Sequence, residues 1–440
     1  MTGQNPREQL TSQAITVWLG AVLVYIAAIC GRTSFGVAGV DAIERFNVDA
    51  SRIAVFTAVQ VGVYALAQIP VGVLIDRLGS RFMIVAGSLV MAVGQVILGL
   101  TDSYPVAIFA RVLIGAGDST AFLSALRLLP FWFPLKHTPL FTQLTASLGQ
   151  LGQFLSAIPF LALLHAQGWT ISFVSLGAAG ALIGIVAAIA VADSPESNAL
   201  SRAEKAERAA SAKASREPVS AVLAAVMRSP LCWEAFCIHG FSMFFMLNFT
   251  LLWGMPLMTL GMGLTPAQGG AALTVYTVAT MLSAPVLGPL SARAGKNRDL
   301  AAAAIATVHC AVWVWFFLSS EPRGYAFILA LMVLLGFATP TSNFGFDTVR
   351  EELPRSIVAT GTGLGNMGGF TAAMLSSQVV GIILDHSAPS GDYTWADFRT
   401  AWIAVFAIWG ALMIGLAITR HLAVQNRHRG GGGVRVINRG

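Results

Sequence analysis

Charge is scarce in this sequence. Of its 440 residues only 11% are Asp, Glu, Lys or Arg, against 55% that are hydrophobic. So little polar surface cannot solvate a globule of that size, and the bilayer must be its solvent. Cysteine is also sparse: Cys30, Cys232, Cys237 and Cys310 all fall in apolar stretches, offer no outward-facing pair to bridge, and read as packing residues. No grouping of Cys, His and carboxylates has metal-ligand spacing, and no Gly-rich Walker loop occurs. The sequence therefore points to no enzyme, no cofactor, no metal and no ATP-driven step within this chain. Long apolar runs without alternation exclude a β-barrel.

What the sequence has is a succession of such runs. A helix needs about 20 apolar residues to cross the hydrocarbon core. Twelve stretches qualify: 15–38, 53–75, 82–101, 104–129, 138–164, 170–192, 229–259, 267–290, 299–318, 324–346, 356–384 and 399–420. Many of the 44 glycines lie inside them, where small residues let helices in lipid approach closely. The first run follows a polar segment and lacks a small-residue cleavage site, so it reads as a retained helix, not a signal peptide.

The net charge of +6 is explained by orientation, not by nucleic acid. With the N-terminus in the cytoplasm, Lys and Arg crowd the inner segments. Only Arg45, Arg52, Arg323 and Arg399 fall in outer loops, and Arg32 and Arg111 lie within helices. That bias places both termini in the cytoplasm of a cell whose plasma (inner) membrane holds the chain. Membrane lipids are then the expected surroundings, and a monomer the expected state.

The expected organisation is a cytoplasmic N-terminus (1–14), an N-terminal six-helix bundle (15–192), a cytoplasmic linker (193–228), a C-terminal six-helix bundle (229–420) and a basic tail (421–440). The two bundles repeat. Gly72, Leu74, Arg77 and Gly79, with Asp76 among them, return as Gly288, Leu290, Arg293 and Gly295, with Ala292 in place of the acid. The offset that carries residue 72 to 288 also carries Gly149 to Gly365 and Gly152 to Gly368. Internal duplication of this kind is how many secondary transporters build two pseudo-symmetric halves around a midplane site.

The segment Gly72-Val-Leu-Ile-Asp76-Arg77-Leu-Gly79-Ser-Arg81 resembles the loop signature between the second and third helices of the major facilitator superfamily. Its weaker copy runs from Gly288 to Lys296, and Arg111-x-x-x-Gly115-x-Gly117 resembles that family's arginine-glycine motif. The resemblance implies an all-α membrane fold of twelve transmembrane helices in two six-helix bundles, working by alternating access. It also implies a gate at Gly72, Asp76, Arg77, Gly79 and Arg81. There Asp76 would cap a neighbouring helix N-terminus or pair with a nearby arginine; alternatively the motif is a turn that only orients two helices. Tyr64-Ala-Leu-Ala-Gln68-Ile-Pro70, Trp132-Phe133-Pro134, Gly168-Trp169 and Gly361-Thr-Gly363-x-Gly365-Asn366 are similar to the anion:cation symporter branch. Its members mostly take up organic anions or phosphate compounds with a proton or sodium ion. The fifth helix lacks the adjacent Gly-Pro pair of the drug-proton antiporters.

Ionisable groups at membrane depth are expensive and so are functional candidates. Arg32 stands in the first helix, and the repeat offset carries it to Asn248 in the seventh; the two would face a central cavity and suit a carboxylate or phosphate. Otherwise Arg32 snorkels to the outer headgroups. Arg111, Gly115 and Asp118 share one face of the fourth helix. Asp118 either takes up and releases a coupling proton or stays ionised beside an arginine such as Arg32 or Arg127. Gln60, Tyr64 and Gln68 form a polar stripe on the second helix, and Gln143, Gln150 and Gln153 lie on the fifth; each set either lines a pathway or ties helices together. Asn343 and Asn366 are C-terminal contacts, while His239 and His309 read as packing residues. Asp347, Arg350, Glu351 and Glu352 read as a solvated gate or loop.

These readings converge on a secondary active transporter for proton-coupled uptake of a small organic anion. Arg32, Arg111, Asn248, Tyr64, Gln60, Gln150 and Asn366 would contact substrate, and Asp118 would carry the proton. An exporter of amphiphilic compounds and a transporter-like receptor or scaffold are the alternatives. The charge bias makes a direct prediction. A phosphatase that works only outside the cytoplasm should be active when fused after Glu321 and inactive when fused after Lys205; the reverse pattern would invert the topology.

Overall fold

The computed structural model describes residues 10–48, 50–196, 218–388 and 393–428, and every regular element among them is helical. Ten continuous segments are long and apolar enough to cross a membrane, and two of them, Leu135–Ala190 and Pro266–Leu318, run to 56 and 53 residues. At about 1.5 Å per residue each is more than twice the roughly 30 Å hydrocarbon thickness. Both turn back at a glycine with positive φ: Gly168 (φ 77°, ψ 178°) in the first and Gly295 (φ 51°) in the second. Each is two crossings, so the described residues hold twelve.

In chain order the spans are Ser12–Val37, Ala50–Leu78, Ser80–Leu100, Tyr104–Trp132, 138–167 and 169–190. The seventh begins at Pro230–Asn248 and continues through π-helical turns at Phe249–Trp253 and Leu257–Gly261. Pro266–Ala294 and Arg298–Leu318 follow. The tenth is Tyr325–Ala338 joined to Phe344–Glu352 through a 3-10 segment, Thr339–Asn343. Val358–Ser387 and Trp395–His428 complete the set. Irregular turns fall at or beside prolines: Pro159 in the fifth span, Pro256 in the seventh and Pro340 in the tenth. Proline removes an intrahelical donor, so the backbone widens or tightens locally.

The chain groups into two compact units. One is Met1–Val226 with Pro354–Gly363; the other is Met227–Leu353 with Leu364–Gly440. The linker expected over 193–228 lies mostly at 197–217 and the tail mostly at 429–440, outside the described residues. What is described there is a short helix, Val219–Arg228, with Val222 and Val226 buried, and a last span that runs to His428, past the expected end at 420.

In the first unit glycines set the helix spacing. A Cβ on Gly117 of the fourth span would fall on the Gly87 carbonyl and on Met91 of the third. One on Gly152 would strike the backbone of Ile26 and Cys30 in the first. Gly177 of the sixth span lies against Ala92 O, where a Cβ would stand 2.9 Å away. Lipid offers no hydrophobic drive between helices, so this close backbone approach supplies the packing. At one end Phe35, Phe46, Phe56, Trp169 and Phe173 form an aromatic cluster. Trp169 Nε1 donates to Leu98 O at 2.9 Å, and Arg45 pairs with Asp102 at 2.8 Å.

The second unit uses the same device. A Cβ on Gly336 of the tenth span would meet Tyr276 O of the eighth at 2.8 Å, and Gly368 of the eleventh is closed against the Phe236 carbonyl of the seventh. Trp313 stacks on Trp402 at 5.7 Å, and Phe317 on Trp395 at 5.2 Å. The repeat is visible in the backbone: Gly79 (φ 89°) and Gly295 (φ 51°), one offset apart, are both left-handed.

Replacing Gly117 by Val should destabilise the first unit by about 1–3 kcal/mol or more, because the facing atoms are backbone and cannot repack. Thermal unfolding in detergent measures this. Gly36→Val, at a site with open space around the Cβ, should leave the transition within error of the parent.

Candidate functional site

The first unit brings four of the expected site residues together at membrane depth. Arg32 donates from Nε to Asp118 Oδ2 at 2.7 Å and from Nη2 to Oδ1 at 2.9 Å, a parallel two-bond fork. Asp118 is fully buried, while the Arg32 side chain is 24% exposed. The guanidinium carbon sits 4.5 Å from the Tyr64 ring centroid, so a flat aromatic face holds the fork in plane. Arg32 therefore reaches across to the fourth span instead of extending to the headgroups. Thr33, next in the chain, shares a 2.7 Å hydrogen bond with Ser156 in the π-helical turn of the fifth span.

Arg111 lies about two turns from Asp118 on the same fourth span. It is 1% exposed, its guanidinium packs 4.8 Å from the Phe35 ring centroid, and Nη2 donates to the Arg32 carbonyl at 3.4 Å. Its Nε and Nη1 have no partner, nor does either end of the buried Gln60 amide. Gln60 packs beside Gly115, one turn from Arg111; a Cβ there would meet its carbonyl at 2.7 Å. Gln68 Nε2 donates to Tyr64 O within its own helix. Gln150 is half-buried in the fifth span, and Gln143 is fully buried. In the second unit Asn248 accepts from Ser377 Oγ at 2.9 Å and keeps Nδ2 unpartnered, while Asn366 is buried.

The gate-motif residues occupy a second place in the first unit. Asp76 accepts from Ala359 N (3.1 Å), Thr360 N and Thr360 Oγ1 (both 2.8 Å), so its carboxylate sits on the first turn of Val358–Ser387. Arg127 Nε donates to the same carboxylate at 3.2 Å. Gly72 allows this approach: a Cβ there would stand 2.7 Å from Ala359 O and Thr360 Cα. At Gly79 the left-handed turn leaves the Asp193 carboxylate free to accept from Arg81 N at 3.1 Å, and Arg81 Nη2 donates to Ala188 O. Arg77 is half-buried.

The second unit has Ala292 where the first has Asp76, and a different charge cluster stands near it. Ser291 Oγ donates to Asp347 Oδ2 at 2.5 Å, Arg350 pairs with Asp347, and Arg298 forks onto Glu351 at 2.6 and 2.7 Å. Asp347 and Arg350 are 1% and 5% exposed. Asp347 and Arg350 were expected to be solvated, but the tenth span turns them into the helix packing, where they neutralise each other, while Glu351 stays exposed. Sequence reasoning also missed Thr360 and Ser377. Each is a short polar residue whose role appears only once a distant carboxylate or amide is placed beside it. His309 Nε2 accepts from Trp313 Nε1 at 2.8 Å, and His239 packs on Phe346 at 4.7 Å.

Twelve apolar helices with a forked ion pair held at membrane depth define a polytopic membrane protein. The model of the Major Facilitator Superfamily matches residues 21–377, and the chain belongs to that family. Over 174 residues it is 26% identical to a "Probable sulfoacetate transporter" of Cupriavidus necator, and over 175 residues 24% identical to a "Probable L-galactonate transporter" of Escherichia coli; each match covers 40% of this chain. The matches span 40% and 38% of the length of those relatives. In fold, the chain is similar to a bacterial homologue of the human lysosomal transporter Spinster in an inward-facing, unoccupied conformation. That likeness has a TM-score of 0.57 and 16% identity over 95% of this chain and 99% of the other.

Removing one partner of a buried pair strands the other charge. Asp118→Leu alone should lower stability by about 3–5 kcal/mol, whereas Arg32→Met with Asp118→Leu should recover most of that loss. A double-mutant cycle on thermal unfolding reads the coupling directly. Additive losses would mean that the fork contributes nothing.

Proposed function

We propose that the chain takes up a small organic anion together with a proton, and that the Arg32–Asp118 fork is where the two are exchanged. One observation carries the reading: a carboxylate sealed from solvent is held by an arginine that remains partly open. While Asp118 is charged it occupies both donors that a substrate carboxylate or sulfonate would need. A proton on Asp118 removes that competition and leaves Nε and Nη2 of Arg32 facing the anion, with Tyr64 keeping the guanidinium flat. Release of the anion lets Arg32 reclaim Asp118, which then gives up its proton. Charge is balanced at each stage, so neither ion is held well without the other.

The printed names of the two relatives fit this chemistry, since sulfoacetate and galactonate are organic anions. Arg111 adds a second positive charge that draws anions toward Arg32, and Gln60 and Gln150 are the first unit's neutral contacts. The second unit's candidates, Asn248 and Asn366, are tested by the same assay. Asp76 on the first turn of Val358–Ser387 acts as a latch, with Gly72, Arg77, Gly79 and Arg81 setting its geometry. The lysine and arginine bias supports a plasma membrane orientation with both termini inside.

Purified protein in proteoliposomes tests the mechanism with a panel of small carboxylates and sulfonates. An imposed inward proton gradient should drive accumulation of at least one, and Arg32→Ala should abolish it. Asp118→Asn should still exchange labelled for unlabelled anion across the membrane but should no longer respond to the gradient. Accumulation that ignores both the gradient and Arg32 would overturn the proposal. Asp76→Asn should alter rate while leaving the response to the gradient in place.

A further inference from the structure

A cavity of ≈ 220 Å³ opens in the first unit among the first, third, fourth, fifth and sixth spans, apart from the Arg32–Asp118 fork. Small residues make it: Ala28 and Gly31 on the first span, Ala92 on the third, Gly117 and Ala121 on the fourth, and Gly180 on the sixth. Gly180 shows how loose the space is, because a Cβ there would touch nothing within 4 Å. A few polar edges, from Cys30, Ser88 and Gln95, interrupt a lining that is otherwise apolar. Ser88 Oγ is turned onto Ile84 O and Gln95 Nε2 onto Gly31 O, so neither donor asks for a ligand, and Gln95 Oε1 is the lining's one unpartnered side-chain oxygen among the described residues.

The mouth tells what fills it. Its rim carries Leu23 and Leu155, 46% and 40% exposed. On the sixth span Ala179 of the lining is itself exposed, and the neighbouring face carries Leu182 and Val186, with Ile185 and Ile189 further round the helix, 62%, 45%, 54% and 83% exposed. Apolar side chains bare at membrane depth meet hydrocarbon, so the cavity is continuous with the lipid-facing belt. Sites for drug-sized molecules begin near about 300 Å³, and this cavity is smaller, yet a segment of methylene chain fits it. An empty space of this size would leave its walls without dispersion partners.

We infer that the cavity is a binding site for the acyl chain of a membrane lipid, inserted sideways between the first and sixth spans. The inner end of the chain lies against Gly31 and Gly117. These are the chain neighbours of Arg32 and Asp118, so the lipid props the backbone that carries the fork. Binding does not depend on the transported substrate.

The test uses the full protein in proteoliposomes containing a phosphatidylcholine with a photoactivatable diazirine within one acyl chain. After illumination, adducts are mapped by mass spectrometry. Adducts are expected on the cavity wall, at Cys30 and Met91, as well as on the outer belt at Ile185 and Ile189. Gly180→Leu, which fills the space, should abolish the wall adducts and leave the belt adducts unchanged. Ala179→Trp, at the mouth, should do the same without touching the interior, which guards against a folding defect in the first variant. Wild-type protein labelled on the belt but not at Cys30 or Met91 would overturn the inference. So would wall labelling that persists in both variants while each remains monodisperse.

Discussion

A polar group that leaves water for hydrocarbon must find its partner inside the protein, and this single constraint shapes every irregular feature of the chain. Backbone groups meet it by staying helical through twelve crossings, even where prolines force π-helical or 3-10 turns. Charged side chains meet it by pairing. Asp118 takes both of its bonds from Arg32, Asp76 collects a helix terminus and Arg127, and Asp347 is shared between Ser291 and Arg350. Arg111 and Arg350 are each buried with Nε and Nη1 unpartnered, but Arg350 has Asp347 beside it, whereas Arg111 bonds to one carbonyl and packs on an aromatic face. A group so poorly satisfied is held by its surroundings, which is the usual condition of a residue kept for function.

The two halves answer the constraint differently. In the first, one ion pair is left with a partly open arginine, and a carboxylate sits on the end of another helix. In the second, Ala292 stands in place of the acid, while charges from the ninth and tenth spans pair beside Ser291 of the eighth, and Arg420 pairs with Asp299. Duplication thus preserved the backbone device, the left-handed glycine at the turn, while the electrostatics diverged.

Much of this was legible in the sequence because hydropathy and glycine spacing are local. Twelve runs, the turn at Gly79 and its copy at Gly295, and the small-residue contacts at Gly152 and Gly368 need nothing beyond a window of residues to be noticed. Pairings across space were not legible in the same way. Arg32 and Asp118 stood as separate candidates, with Arg127 an equal choice of partner, because no spacing rule links the first span to the fourth. Asp347 and Arg350 were misjudged for the same reason: a charged run beside a helix end looks solvated until its neighbours are known. Thr360 and Ser377 carried no signal, since hydroxyls are frequent in helices and usually bond to their own backbone.

The reversal at Gly168 has a consequence outside chemistry. The chain passes from the fifth span to the sixth without a loop, and the neighbouring reversal, from the third to the fourth, takes only residues 101–103. Trp169 fastens the two reversals together through Leu98. The connection from the first span to the second joins them there as the helix Gly39–Phe46, whose Arg45 pairs with Asp102. At these two reversals a protease has no strand to grip, so both are armoured by brevity.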